Sequence, residues 1–436
     1  MKYLKKYYHY YLCFLLFFFG ILFLGYNNTD NIWNYGMAHA IRIGEIPYRD
    51  FNIITTPLYA YLMSFFLLFS DQYLFFVFGQ SFLGVFAYSF VYQMIGKKVF
   101  YLIPAILLGF GYLFFPNYNF LVLVFLVLLL YLEKEEKSDY LIGFILGLLV
   151  LTKHTMGVVI ILCSFLSTKS IKKCWHRILG MLGLGILFVV FLLVTGAFPS
   201  FWNLSVAGLF DFGGNNHYRS PFFLVLSLIC FLYCIYRFIK YKGDVSNYYY
   251  LGSFFFLFPL VDLFHFQYLA CMTLILILMN LKDKEIPKVV KSGVIVLFVF
   301  SILLNVCYHA DVYSHSQFSQ TNHFMGYLTT REYEEHFQEV LEDYESRENN
   351  WMFNYHNMFF DIASNHPISY MDIPLYGNFG YDGTNSMIKK VDDMHDVYFY
   401  VSDHENIQYA KEIYEHIKET STYSYSVWIF DVYYKE

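Results

Sequence analysis

Charged side chains are scarce in this chain. Asp, Glu, Lys and Arg make up 15% of its 436 residues, where soluble domains carry about 25%. So few ions cannot cover a water-soluble fold of this length, and the 57% of hydrophobic residues is blocked into long runs rather than scattered. A polytopic membrane protein is expected. Cysteine excludes other classes. Seven are present, at 13, 163, 174, 230, 234, 271 and 307, nearly all in or beside apolar runs, with no CxxC pair. With no His-rich ligand set beside them, neither a disulfide framework nor a zinc site is expected, and they read as small core hydrophobes. Repeats and low-complexity linkers are also lacking. The start, MKYLKKYYHYYLCFLLFFFGILFLGY, has a basic flank but no small-residue cleavage site, so it reads as a retained first helix. The net charge of −6 says little about partners, because charges segregate by side of the membrane; no nucleic-acid partner is expected. Richness in Phe, Tyr, Lys and Asn points to an AT-rich bacterial genome.

A spanning helix needs about 20 apolar residues. Clear runs are 9–25, 73–95, 99–115, 178–198, 221–239 and 289–307; shorter ones are 120–132, 140–152, 155–167, 248–261 and 266–281. The run Pro57–Phe69 is ambiguous. Lys and Arg near helix ends collect on the cytoplasmic side. If Pro57–Phe69 does not cross, and Lys153–His154 marks a turn, the inside segments collect Lys2, Lys5, Lys6, Lys97, Lys98, Lys134, Lys137, Lys169, Lys172, Lys173, Arg177, Arg237, Lys240, Lys242, Lys282, Lys284, Lys288 and Lys291. The outside connections then hold only Arg42, Arg49, Lys153 and Arg219. The rival topology fuses 140–167 into one helix and strands Lys153 in mid-bilayer, at roughly 2.5–3.5 kcal/mol or more. The expected fold is therefore an α-helical polytopic membrane protein of about eleven transmembrane helices. It has a cytoplasmic N-terminus, a large first outer loop and a helix lying along the membrane after it.

Residues 308–436 are polar throughout and contain no spanning run. REYEEHFQEVLEDYE (331–345) and NIQYAKEIYEHIKE (406–419) have helical spacing, while DVYFYV (396–401) and SYSVWIFDVYY (424–434) read as strands. A small extracytoplasmic α/β domain is expected there, following a transmembrane module over 1–307. Unusual polar segments fall on the outer side of this topology: NNTDNIWNYGMAHAIRIGEIPYRDF (27–51), PNYN (116–119), TKHTMG (152–157), FGGNNHYRSP (212–221) and VDLFHFQY (261–268). The inner connections are short basic turns. That asymmetry suggests an outward-facing site at the membrane surface, in the plasma membrane of a cell.

Asp30 just after the first helix, then NYGMAHAIRIGEIPYRDFNIITTPLYAYL with its G-x-x-P-Y-x-D-F pattern and Pro-Leu-Tyr helix, resembles the first outer loop of the GT-C membrane glycosyltransferases. That superfamily includes the protein O-mannosyltransferases and the lipid A aminoarabinose transferase. The resemblance covers residues 26–70 well, 71–270 more loosely and the tail weakly. It implies a GT-C type fold and inverting transfer of a sugar from a polyprenyl-phosphate donor to a glycan, lipid or protein acceptor of the cell envelope. It also implies that Asp30 is the general base taking the acceptor's proton. Against that, Thr29 or Asp30 could simply N-cap the helix beginning at Asn31. Asn31 stands where many relatives carry a second acid, and Asn117 or Asn119 where many carry a second-loop Asp. Both departures weaken a carboxylate-bridged metal, and a divalent metal is left open.

Asp50 is the runner-up acid, with a salt bridge to Arg49 or Arg42 as its plain explanation. A lipid-phosphate leaving group needs cations, and Arg49, Lys153, His154, His217, Arg219 and His265 are the candidates. Their plain alternatives are snorkelling for Lys153, pairing with Asp262 for His265, and a solvated loop for His217 and Arg219. Gly213-Gly214 follows no strand and is no phosphate loop. Asn27-Asn28-Thr29 and Asn203-Leu204-Ser205 match glycosylation acceptors, a pattern common by chance. Two rival classes are a transporter or flippase, which would need ionisable residues deep in helices or broken helices in paired halves, and a membrane-anchored binding protein whose tail does the work.

Overall fold

A computed structural model describes residues 2–24, 29–95, 103, 117–215, 218–280, 288–308, 310–353, 357–364, 378–402 and 411–436. The chain is mostly helical and divides into two interleaved compact units. The first comprises Met1–Gly25, Val77–Phe188 and His217–Ser314; the second comprises Tyr26–Phe76, Val189–Asn216 and His315–Glu436. In chain order the first helices are α1 (Lys2–Leu24), α2 (Thr29–Arg42), α3 (Leu58–Leu67), α4 (Tyr73–Ile95), α5 (Tyr118–Lys134), α6 (Asp139–Thr152), α7 (His154–Ser167) and α8 (Ile171–Val194). Among the described residues four helices are long and apolar enough to cross a membrane: α4, α8, Pro221–Lys240 and Leu263–Asn280. α8 and Pro221–Lys240 turn Ile186, Leu187, Leu193, Phe222, Leu228 and Ile229 outward, as lipid-facing helices do.

Other expected runs are helical too: most of 9–25 lies within α1, 120–132 within α5, and 289–307 within the 21-residue helix Lys288–Tyr308. α6 and α7 are separate 14-residue apolar helices broken at Lys153, whose extended backbone (φ −153°, ψ 94°) ends one and starts the other. α3 has ten residues, a length of about 15 Å, half a bilayer core. The 248–261 run is not one helix either. Ser246–Ser253 is α-helical, Phe254–Leu257 is a 3₁₀ turn, and the path breaks at Phe258, because Pro259 has no N–H to continue the ladder and disfavours helix at the residue before it. The 99–115 run lies outside the described residues except Ile103.

In the first unit α5 is buried all round, from Asn119 through Leu130 and again at Leu132, as expected of a helix apolar on every face. Glycines let neighbours close in. A Cβ at Gly143 would stand 2.1 Å from the Arg177 carbonyl oxygen, and one at Gly157 2.6 Å from the Val150 Cα. Arg177 is buried, and its guanidinium is spent on Asp139 (2.9 Å), Glu133 (2.9 Å) and the Ser164 hydroxyl (2.6 Å), while the Tyr249 hydroxyl donates to Glu133 at 2.8 Å. Full pairing is what makes a buried charge tolerable.

In the second unit the tail carries a four-stranded sheet in the order β3 (Asn350–Phe353), β4 (Val397–Val401), β6 (Phe430–Lys435), β5 (Thr422–Val427), preceded by the small ladder β1 (Ser316–Phe318) with β2 (Leu328–Thr330). β3 and β4 are parallel and the other pairs antiparallel. Phe353, Val397, Phe399 and Val401 pack against Met387, Val391, Ile413 and Ile417 from two helices. The Arg331–Glu345 helix matches its expected bounds and is capped by the Thr330 hydroxyl, which accepts from Tyr333 N. The expected 406–419 helix runs over Lys411–Thr420, with 403–410 outside the described residues. The expected single strand at 424–434 is instead the end of β5, a turn at Trp428–Ile429, and β6, with Trp428 at φ 49°. No Asn-Gly or Asp-Gly pair marks that turn in the sequence.

Candidate functional site

The opening loop folds around α2. Asp30 stands exposed in its first turn, one position before Asn31, which is buried and donates to the Tyr73 hydroxyl at 2.5 Å. The helix thus begins at Thr29 and not at Asn31, with Asp30 inside it. Asn31 is an internal strut between α2 and α4, which explains an amide there. α2 closes at Gly44, whose φ of +101° suits glycine, with Gly44 N donating to Ile41 O and Glu45 N to Ala40 O.

The PYRDF segment is a tight turn. Tyr48 N donates to Phe51 O at 3.0 Å and its hydroxyl to Thr55 O at 2.6 Å. Asp50 receives the Ile46 N–H at 2.8 Å and a two-toothed Arg49 fork at 2.7 Å on each oxygen. The Arg49 bonds hold the Asp50 carboxyl below its usual range against an opposing push from burial. That is the chemistry of a turn lock, and a carboxylate so held is a weak base.

A second set of expected residues meets in the first unit. Asn117 caps α5, its side-chain oxygen accepting from Asn119 N and Phe120 N and from the Tyr268 hydroxyl at 3.0 Å. Asn119, fully buried, accepts from Lys153 Nζ at 2.8 Å, and the same ammonium lies 5.5 Å from the Tyr118 ring centroid. Burial lowers the Lys153 pKa to about 8, so it is a cation at neutral pH that loses its charge as pH rises past that value. His154, half-buried, opens α7 beside it. His265, one helical turn before Tyr268, is nearly buried, with Nδ1 2.8 Å from Asp262, and the same carboxylate caps the helix by accepting His265 N. Burial raises the Asp262 pKa, yet the His265 contacts outweigh it and hold the carboxyl below its usual range.

Lys153 is thereby linked through Asn119, Asn117 and Tyr268 to the helix that bears His265. Arg219 is exposed and linked by a backbone bridge to Val261, with Ser220 N donating to Val261 O. His217 lies outside the described residues.

Three functional candidates escaped the sequence reading. His39 of α2, Asp71 before α4 and His323 of the Asn322–Phe324 3₁₀ turn each offer one ligand atom, all within 4.8 Å of one another. They lie far apart in sequence, so no motif announces them. Burial, helped by His323 and Arg42 and opposed by Asp71, lowers the His39 pKa to about 4; its imidazole is neutral at physiological pH. Buried Arg177 and Arg237 were read only as inside charges. Arg237 pairs with Asp244 (3.0 Å), the Ser246 hydroxyl (2.6 Å) and Asn247 (3.0 Å). It lines a cavity of about 450 Å³ with Glu133, Lys134 and Asn280.

No family model, curated protein or solved structure matches the chain.

Proposed function

We propose that the protein is an integral-membrane glycosyltransferase of the GT-C type that moves a sugar from a polyprenyl-phosphate donor to a cell-envelope acceptor, with inversion at the anomeric carbon. The observation that carries the reading is the half-buried Lys153 ammonium at a helix turn, among Asn119, Tyr118 and the Asn117–Tyr268 pair. An ammonium there, with no salt-bridge partner among the described residues and its pKa lowered to about 8, is suited to an anionic group such as a lipid phosphate. His265, held in one orientation by Asp262, would supply a second donor.

Asp30, exposed at the start of α2, is the general base in this reading, taking the acceptor hydroxyl's proton. The Asp50–Arg49 lock supports Asp30 over Asp50 for that role. A transport reading calls for ionisable residues deep in helices. The buried Arg177 and Arg237 lie instead in the second turn of α8 and the last turn of Pro221–Lys240. Transfer of radiolabelled sugar in membranes containing the protein, across a panel of polyprenyl-phosphate sugars, tests the proposal. Transfer from one donor that Lys153→Ala abolishes supports it, and no transfer from any donor overturns it.

A further inference from the structure

We propose that His39, Asp71 and His323 form a binding site for a divalent transition-metal ion, with zinc the best fit. The side chains come from α2, from the connection between α3 and α4, and from the Asn322–Phe324 turn of the tail, all within the second unit. His39 is 1% exposed and His323 4%. His39 Nε2 and His323 Nδ1 are buried, with no hydrogen-bond partner among the described residues. Folding avoids orphaned buried ring nitrogens unless something engages them. The rings stand edge to face with centroids 5.2 Å apart. Asp71 Oδ2 is 3.6 Å from His323 Nδ1, too long for a hydrogen bond.

Ligand bonds of about 2.0–2.1 Å set tetrahedral donor atoms roughly 3.3 Å apart. The three groups therefore need a closure of at most about 1.5 Å at the widest pair. Two imidazoles and one carboxylate suit zinc and its neighbours, whereas calcium and magnesium take oxygen sets. The Asp71 side chain is 42% exposed, leaving a side open for entry and for a water as fourth ligand.

A supporting shell fixes the backbone that carries the ligands. The Tyr35 hydroxyl lies on the carbonyls of both Asp71 and His323, and Leu74 N donates to Met325 O at 3.0 Å. The Glu334 carboxylate gathers Ser319 Oγ, Gln320 N and both Thr321 donors, holding the turn ahead of His323. Arg42, the cation nearest in sequence to His39, donates its Nε to Leu67 O at 3.1 Å. A bound ion would clasp the tail onto the opening-loop helix, and this role does not depend on sugar transfer.

The full-length protein in detergent, stripped with a chelator and dialysed, is titrated with Co²⁺ and then Zn²⁺. Visible absorption reads the site, elemental analysis reads the stoichiometry, and thermal melting reads the clasp. One ion per chain is expected, with a cobalt spectrum of low symmetry that zinc displaces and a melting temperature raised by several degrees. Asp71→Asn, conservative in shape at a partly exposed position, should weaken binding at least tenfold. His39→Gln with His323→Gln should remove it. Wild-type protein that takes up no stoichiometric ion overturns the proposal. So does Asp71→Asn or the double variant binding as tightly as wild type, since the ion would then sit elsewhere. If the double variant does not fold, Asp71→Asn and the wild-type titration decide.

Discussion

Asp30 stands exposed in the first turn of α2, where a carboxylate gains about 0.3–1 kcal/mol from the helix N-terminus. Asp30→Asn removes that term and any base function but keeps the shape. Sugar transfer should fall at least about a hundredfold, within the general-base range, while the melting temperature changes little. Near-normal transfer in Asp30→Asn beside a dead but folded Asp50→Asn would move the base to Asp50. Lys153 gives a pH signature. Burial lowers its pKa to about 8, so its positive charge is present below that value and lost above it. Donor KM should therefore rise as pH climbs from 7 to 9. Lys153→Arg, charged throughout this range, should flatten that rise even if its baseline is poorer, and an identical profile in both proteins would remove Lys153 from donor binding. The amides that depart from the family pattern have structural work: Asn31 braces Tyr73, Asn117 caps α5, and Asn119 receives Lys153.

Among the elements, the α6–α7 pair depends on one glycine. A Cβ at Gly157 would come within 2.6 Å of the Val150 Cα, whereas one at Gly183 in α8 would meet nothing within 4 Å. The same substitution should thus have opposite effects. Gly157→Ala should destabilise by about 1–3 kcal/mol through forced backbone separation, and Gly183→Ala should stabilise by about 0.5–1 kcal/mol by removing helical-glycine entropy. Thermal melts in one detergent compare the two, and equal shifts would contradict the close packing of the pair. Lys153 was legible as a break because a lysine between apolar runs is costly in lipid. The Trp428–Ile429 turn was not, because both its residues look like strand.

For the whole molecule, the topology expected from the distribution of Lys and Arg has Lys240 inside and the tail outside. Tyr423, exposed on β5, is a suitable reporter for the tail. In a background with the exposed Cys307 changed to serine, an impermeant thiol reagent should label Tyr423→Cys in intact cells and leave Lys240→Cys unlabelled. The reverse pattern would invert the topology.

The sequence by itself determined the membrane character, the helical bulk, the break at Lys153, and the Arg331–Glu345 helix and β4 of the tail. Each of these follows from local composition and periodicity, which a run of 10–25 residues carries in full. Tertiary structure alone decided the company of the polar groups whose partners lie far away in sequence. It turned Asn31 inward and left Asp30 outside, and linked Lys153 to the helix bearing His265 through two asparagines and a tyrosine. It also gathered His39, Asp71 and His323 from three distant segments. Such pairings are set by how helices and turns pack, through contacts between residues up to hundreds of positions apart, and no spacing along the chain encodes them.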